Sequence, residues 1–477
     1  MSGAQSQNSE YIIMASPKPR SFKGTRDFTP REMIPREKII DSMKRVFRLY
    51  GFSPLETPAL EMLSVLTGKY GEEGEKLLYK LDYKNDDFMN RVALRYDLTV
   101  PLARVIASHP EWPMPFKRYQ VQPVWRADKP QTRQGRFREF YQCDIDTVGA
   151  PEGLADAEIL ALTVTMLDDL GFKDGDKRAI VQLNHRKVLE GICVYAGHPR
   201  EDLAGFCRVL DKLDKIGREG VVSDLIDMGI NDEGIDRVDS LLKLSGMYGS
   251  LSSTPADEKI DHVLAILDNN QAATEGLEGI RSILQSLKEL GTDLSRINFN
   301  PVLARGLDYY TGAVFESTLP GQPHIGSLTG GGRYDKLIGL YGGGDKPAVG
   351  TTIGLDRMFA AMEQLGMVDT EAATVTRVLI AAWSADQMSA CLQAVRVFRE
   401  AGVPAEVFPT TGKLKKPFSH ADKLNIPYVA VIGPDEAGNP DGLHVSLKDL
   451  SQGTQETLQV ANAAEKVSST NRSAPSS

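Results

Sequence analysis

Between residues 36 and 50, Ile39, Met43, Val46, Phe47 and Tyr50 return at three- and four-residue spacing, which predicts a helix with one apolar face. A Pro-punctuated extended segment follows, G-F-S-P-L-E-T-P-A-L-E from Gly51 to Glu61. Further on the period changes to two. V-Q-P-V-W-R runs into a polar, Gly-containing loop and then into R-F-R-E-F-Y-Q-C-D-I-D, the alternation and turn chemistry of an antiparallel hairpin. From 203 to 290 the helical period returns, with Leu203, Phe206, Leu210 and Leu213, and later Leu277, Ile280, Leu284 and Leu287, on shared faces. After a soft linker near 367–373, the runs T-R-V-L-I-A-A-W, V-P-A-E-V-F and Y-V-A-V-I-G predict three strands. Met388, Leu392, Val395 and Phe398 mark a helix between the first two, the pattern of a small parallel-type α/β domain. The two ends, 1–20 and 461–477, are rich in Ser, Gln, Asn and Pro and are expected to be disordered.

At 477 residues the chain is too long for one core. With 41% hydrophobic and 25% charged residues it has the composition of a soluble globular protein, and no run of 18 apolar residues is present to span a membrane. The first residues hold no apolar stretch of signal-peptide type, so a cytoplasmic location is expected. Cys143, Cys193, Cys207 and Cys391 lack C-x-x-C spacing and are expected to be reduced structural residues rather than disulfide or zinc partners. The net charge of −9 argues against wholesale nucleic-acid binding. Phosphate binding depends on local patches, however, and Lys and Arg cluster in the loop from 129 to 138 and again from 413 to 423.

Three segments concentrate chemistry. In A-R-G-L-D-Y-Y-T-G-A-V-F-E, from Ala304 to Glu316, Arg305 offers a planar fork to oxyanions, and Tyr309 and Tyr310 could line a polar pocket. The same residues could equally form a satisfied turn network. In the second segment, Arg126 to Asp146, a basic loop with Lys129, Arg133, Arg136 and Arg138 is flanked by Arg126 and by Asp144 and Asp146. Such a loop is either a solvated surface or a phosphate or RNA contact. The third, G-G-G-R-Y-D-K-L-I-G-L-Y-G-G-G from Gly330, leads to A-V-G-T-T-I-G-L-D-R ending at Arg357. It contains neither a P-loop nor a dinucleotide fingerprint, so its glycines predict close backbone approach in a sheet, with Arg357 a cation at a helix start.

Together the three segments resemble the histidyl-tRNA synthetases, a family of class II aminoacyl-tRNA synthetases. R-G-L-D-Y-Y-T-G-x-V-F-E is similar to that family's histidine signature, Arg126 to Asp146 to class II motif 2, and Ala348 to Arg357 to motif 3. G-T-R-D-F at Gly24 to Phe28, the segment from Gly51 to Glu61, and L-R-Y-D-L-T-V-P at Leu94 to Pro101 resemble the family's opening, its motif 1 and its eukaryotic-type branch. The resemblance spans roughly residues 20 to 455. It implies an α+β catalytic domain built on an antiparallel sheet of class II synthetase type, a helical insertion domain, and a C-terminal α/β anticodon-binding domain. The expected bounds are a tail over 1–20, catalytic parts over 21–175 and 295–370, the insertion over 176–294, the anticodon-binding domain over 376–460, and a second tail over 461–477.

The resemblance also implies a reaction, in which L-histidine and ATP give histidyl-adenylate and pyrophosphate before histidine passes to tRNA(His). Arg126 and Arg305 are then the expected catalytic cations on carboxylate and α-phosphate. Asp97, Thr99 and Gln142 would face the histidine ammonium, while Asp146, Tyr309 and Tyr310 would line its pocket. For ATP the expected contacts are Arg126, Asp128, Arg136, Phe140 and Arg357, with Phe140 and Arg357 on opposite faces of the adenine. Asp128 departs from the class II pattern, which has Glu at that place. Magnesium would arrive with ATP, with no dedicated protein cage. Arg133, Lys413, Lys415, Lys416 and Lys423 are the expected tRNA contacts, the insertion is either a tRNA clamp or a packing module, and the motif 1 helix would serve a homodimer interface. Two non-catalytic readings compete. A regulatory relative of ATP phosphoribosyltransferase typically lacks the C-terminal domain and degrades the R-G-L-D-Y-Y segment, and a tRNA-sensing module would be fused to a kinase; this chain keeps both of the former features and has no kinase motif.

Overall fold

The computed structural model describes residues 19–69, 74–81, 91–131, 135–244, 255–267, 270–304 and 309–472. Arg133 and Arg305, both expected at the site, lie outside the described residues.

The first helix, Pro30–Leu49, begins nine residues before Ile39, where the apolar period starts. Thr29 and Glu32 form a reciprocal cap there, and Pro30 occupies the first turn, where no hydrogen bond is lost. The extended segment after it supplies β1 (Ser53–Pro54) and β2 (Leu60–Met62), the latter paired with β3 (Val92–Leu94). The predicted hairpin is present as β4 (Phe116–Trp125) and β5 (Glu139–Val148), in antiparallel register from Phe116 opposite Val148 to Trp125 opposite Glu139. With β6 (Ile180–His185), β7 (Ile297–Phe299), β8 (Ala313–Thr318), β9 (Thr329–Arg333) and β10 (Ala348–Gly354), these build one eight-stranded sheet. Its order is β1-β4-β5-β10-β9-β8-β6-β7, antiparallel except for the parallel pairs β1 with β4 and β6 with β7 at the edges.

Alternation along β5 assigns the two faces. Cys143 and Ile145 enter the core with the helices Pro30–Leu49 and Leu154–Asp169, while Gln142, Asp144 and Asp146 lie on the opposite face. The registers carry that polar face across seven strands, because Asn298, Gln182, Glu316, Gly330, Thr352, Asp144 and Gln120 are successive cross-strand partners.

The structure corrects three expectations. Residues 180–185, assigned to the helical insertion, form a strand of the large sheet, and the helices that follow share one continuous core with it: Phe206, Leu210, Leu277, Ile280 and Leu287 pack in the same cluster as Val181, Ile145 and Phe315. The apolar face of Pro30–Leu49, expected to meet a second subunit, is buried inside the chain. Ile39, Met43, Val46 and Phe47 pack with Phe52 and Tyr119, which leaves little of that face for a partner.

The third correction concerns the C-terminus. β11 (Val378–Ala382), β12 (Ala405–Val407) and β13 (Tyr428–Ile432) are the three predicted parallel strands, and β14 (His444–Asp449) and β15 (Gln455–Gln459) extend the sheet antiparallel. The expected tail from 461 is instead mostly helix, Val460–Arg472, seated by Val460, Ala463, Ala464 and Val467 on the C-terminal core. Its Ser and Asn content hid an apolar stripe of small residues at three- and four-residue spacing. On the helix Met388–Glu400 the buried face is Cys391, Ala394, Val395 and Phe398, while Leu392, expected to face inward, is exposed. No helix among the described residues is long and apolar enough to cross a membrane. Val467→Asp places a carboxylate in this second core and should destabilise the C-terminal domain by about 3 kcal/mol. Urea denaturation checks this, with an unchanged midpoint showing that the helix contributes nothing.

Candidate active site

A cavity of about 1320 Å³ opens on the polar sheet face, extending under the helical segment near Leu210 and Ala256. At and beneath its floor lie three charges with no exposure to speak of, of which Asp146 lines the cavity. Arg118 stands opposite Asp146 in the β4–β5 register, and its Nη2 lies 2.8 Å from Asp146 Oδ2 and 3.9 Å from Asp144 Oδ2. Tyr334 also donates to Asp146, and Thr352 Oγ1 donates to Asp144 Oδ1 at 2.7 Å. One guanidinium cannot neutralise two buried carboxylates, and burial raises the Asp144 carboxyl to about 7 and raises Asp146 as well. Gly350 makes this floor possible, because a Cβ there would lie 2.0 Å from Asp146 Oδ1.

The expected histidine side chains converge above the floor. Asp97 is buried and accepts from Val100 N at 3.1 Å, Thr99 opens the helix Thr99–Ser108, and the Tyr309 hydroxyl is hydrogen-bonded to Thr99. Gln142 donates through Nε2 to Thr352 Oγ1 at 3.3 Å, and its Oε1 is a buried acceptor that no donor among the described residues meets. Tyr309 stands edge-on to Tyr310 at 5.0 Å and to Tyr334 at 5.9 Å between ring centroids. Burial pushes the phenols of Tyr309 and Tyr334 up, so both remain protonated donors.

On the other side, Arg126 is held by its Nε on Tyr96 O at 3.1 Å, with its guanidinium 4.2 Å from the Tyr96 ring centroid and 5.2 Å from that of Phe140. Arg357 lies in the first turn of Leu355–Gln364 and donates to Ser327 O at 2.8 Å. Its neighbour Asp356 joins three elements, accepting from Arg36 Nη1 and from Tyr141 N, each at 2.9 Å. Gly135, with φ of +69°, brings the motif 2 loop so close to this helix start that a Cβ would meet Arg357 Cα at 3.1 Å. Asp128 and Arg136 line the same cavity, and both are exposed. Arg126, Asp128, Arg136, Phe140, Gln142, Asp146, Tyr309, Tyr310 and Arg357 thus share one cavity with Asp97 and Thr99. Lys413, Lys415, Lys416 and Lys423 do not: they lie exposed on and just before the helix Lys415–Leu424 of the C-terminal domain.

Sequence reasoning missed Arg118 and Tyr334. Arg118, Gln120 and Gln122 alternate on the strand before motif 2, which was the available signal, and Tyr334 sat inside a Gly-rich run read only for its backbone.

The family profile described as histidyl-tRNA synthetase matches residues 24–358, and that of an anticodon binding domain matches 377–470. The chain belongs to the histidyl-tRNA synthetase family. The histidine–tRNA ligase of Christiangramia forsetii is 37% identical over 462 residues, covering 92% of this chain and 97% of the relative, and that of Gloeobacter violaceus is 39% identical over 480 residues, covering 94% and 98%. The crystal structure of histidyl-tRNA synthetase from Nostoc sp. PCC 7120 superposes with a TM-score of 0.81 at 30% identity, covering 95% of this chain and all of that one. A Bacillus halodurans structure titled as an ATP phosphoribosyltransferase regulatory subunit/histidyl-tRNA synthetase shares the fold at 21% identity, with a TM-score of 0.66.

The buried carboxyls generate a pH dependence. Between about pH 4 and 7 folded Asp144 keeps a proton that the unfolded chain has released, so stability falls as pH rises through that window. Asp144→Asn should flatten this slope, which urea midpoints at pH 5 and pH 8 would reveal. An identical slope in the variant would place the titrating group elsewhere.

Proposed function

We propose that this cavity is where histidine and ATP meet, with the residues in the roles their geometry favours. As a member of its family the chain is a histidine–tRNA ligase, which activates L-histidine with ATP and transfers it to tRNA(His). The observation that carries the site reading is the buried Gln142 Oε1, which meets no donor among the described residues, in a cavity that buried Asp97 and the tyrosine pair also line. An amide oxygen with lone pairs to spare, together with a carboxylate, suits an ammonium group, and paired phenols with a carboxylate suit a ring bearing two nitrogens.

The histidine carboxylate attacks the α-phosphorus in line and pyrophosphate leaves, so two anions must be brought together. Arg126, with Arg305 from the signature segment, would hold them and offset the charge that develops in the transition state. Arg357 and Phe140 would enclose the adenine, Asp128 would accept from its amino group, and Arg136 would reach the outer phosphates. The substrate is taken to be MgATP. Its ion would be held largely by nucleotide oxygens and water.

Residues 376–472 would hold the tRNA away from the chemistry. Lys415 and Lys416 occupy the first turn of their helix, where the helix dipole disfavours cations, and phosphate contact offers a reason for that placement. Lys413, Lys423 and Arg133 belong to the same proposed contact. A cytoplasmic location and a homodimer complete the reading. The interface would have to use surface other than the buried face of Pro30–Leu49.

Pyrophosphate exchange into ATP, tested with all twenty amino acids, should proceed with L-histidine alone. Equal exchange with another amino acid would overturn the pocket assignment. A chain ending near residue 370 keeps the first core and should still form adenylate, while transfer to tRNA falls steeply at matched salt and tRNA concentration. Unaltered aminoacylation by that chain would remove the C-terminal domain from tRNA binding.

A further inference from the structure

Arg333 at the end of β9 does not line the cavity, yet its guanidinium is fully hydrogen-bonded. All five of its N–H groups have acceptors. Nε and Nη2 grip Asp156 at 3.0 and 2.6 Å, Nη2 also reaches Pro151 O at 3.1 Å, and Nη1 divides between Ala150 O at 3.2 Å and Asp335 Oδ1 at 3.1 Å. Arg333 and Asp156 are 1% and 0% exposed. Asp156 also caps Gly153 N at 2.9 Å at the start of the helix Leu154–Asp169, whose apolar residues anchor it in the main core.

From this fixed point the network reaches the pocket. Asp335 accepts from Thr311 Oγ1 at 2.8 Å, the Asp335 amide donates back to the same hydroxyl at 3.0 Å, and Thr311 N donates to Arg333 O at 2.8 Å. On the other side Gly312 O accepts from Arg186 N at 2.9 Å. Thr311 directly follows the tyrosine pair.

We propose that Arg333 is a positioning residue that sets Tyr309 and Tyr310 for histidine through Asp335 and Thr311; this rests on the histidine reading of that pair. A packed core alone would tolerate small shifts of a loop that only passes by. Here the bidentate Arg333–Asp156 pair fixes two angles as well as a distance, and the reciprocal Thr311–Asp335 bonds transfer that restraint one residue from the pocket. Replacing Arg333 itself would strand Asp156 as a buried unpaired charge and could prevent folding, so Thr311 is the informative position.

In the full-length protein, Thr311→Val keeps the shape and removes the hydroxyl. It should raise the histidine KM in pyrophosphate exchange by about tenfold, the size of one lost charge-assisted hydrogen bond, with the ATP KM changed by less than about twofold. Thr311→Ser should restore the histidine KM. A lowered thermal midpoint with an unchanged histidine KM, an equal rise in both KM values, or Ser behaving like Val would overturn the positioning role. Tyr310→Phe separates the two levels: a histidine KM raised by Tyr310→Phe but not by Thr311→Val overturns the positioning role alone, and one raised by neither overturns the histidine assignment of the pair as well.

Discussion

The buried triad of Arg118, Asp144 and Asp146 is the constraint around which the catalytic domain is arranged. Charges removed from water are costly unless their partners are fixed, and here the partners are fixed by strand register, with Arg118 opposite Asp146 and Asp144 beside them on the same face. A slip of β5 by one residue against β4 would turn both carboxylates toward the apolar core, away from Arg118, and bring Cys143 and Ile145 to the polar face. The pocket is therefore specified by the same alternation that specifies the fold. Its polar floor has no separate scaffold.

Glycine is the second half of that constraint. At the centre of the face β9 presents Gly330 and Gly332 while β10 presents Gly350 beside Thr352, and Gly350 lets Asp146 lie flat against the neighbouring strand. Arg357, Asp356 and Gly135 of the motif 2 loop then converge at the end of β10, so the strand that forms the floor also delivers the proposed adenine end of the site. Helix start and pocket are placed by one element.

What the sequence made legible was whatever carries its own periodicity or an unusual cluster of polar residues. The hairpin, the helical block and the C-terminal strands were readable for that reason, while cavity residues such as Asp97, Thr99 and Gln142 were reached through the family resemblance. Tertiary accounting was not readable. Leu392 fitted the helical period yet is exposed, because the neighbouring Cys391 and Ala394 take the inward positions. The helix from Val460 to Arg472 was hidden by polar composition, since its stripe is built from Ala and Val. Residues 180–185 looked like the edge of an insertion because no local feature announces that they pair with a strand from beyond residue 310. Arg118 was overlooked for a related cause: its meaning lies in its cross-strand partner, which sequence spacing does not display.

The order of strands has a consequence for how the protein is made. Asp146 and Gly350 are direct partners at the heart of the sheet, although the whole helical segment separates them along the chain. During synthesis the hairpin of β4 and β5 emerges early, carrying an open edge and a charged floor, and no neighbour exists for that edge until β10 has left the ribosome. The nascent chain must keep this half-built surface from pairing with others while the intervening helices appear. Those helices share the sheet's core in the folded chain, so the apolar face of the half-built sheet gains part of its cover before its open edge gains a partner.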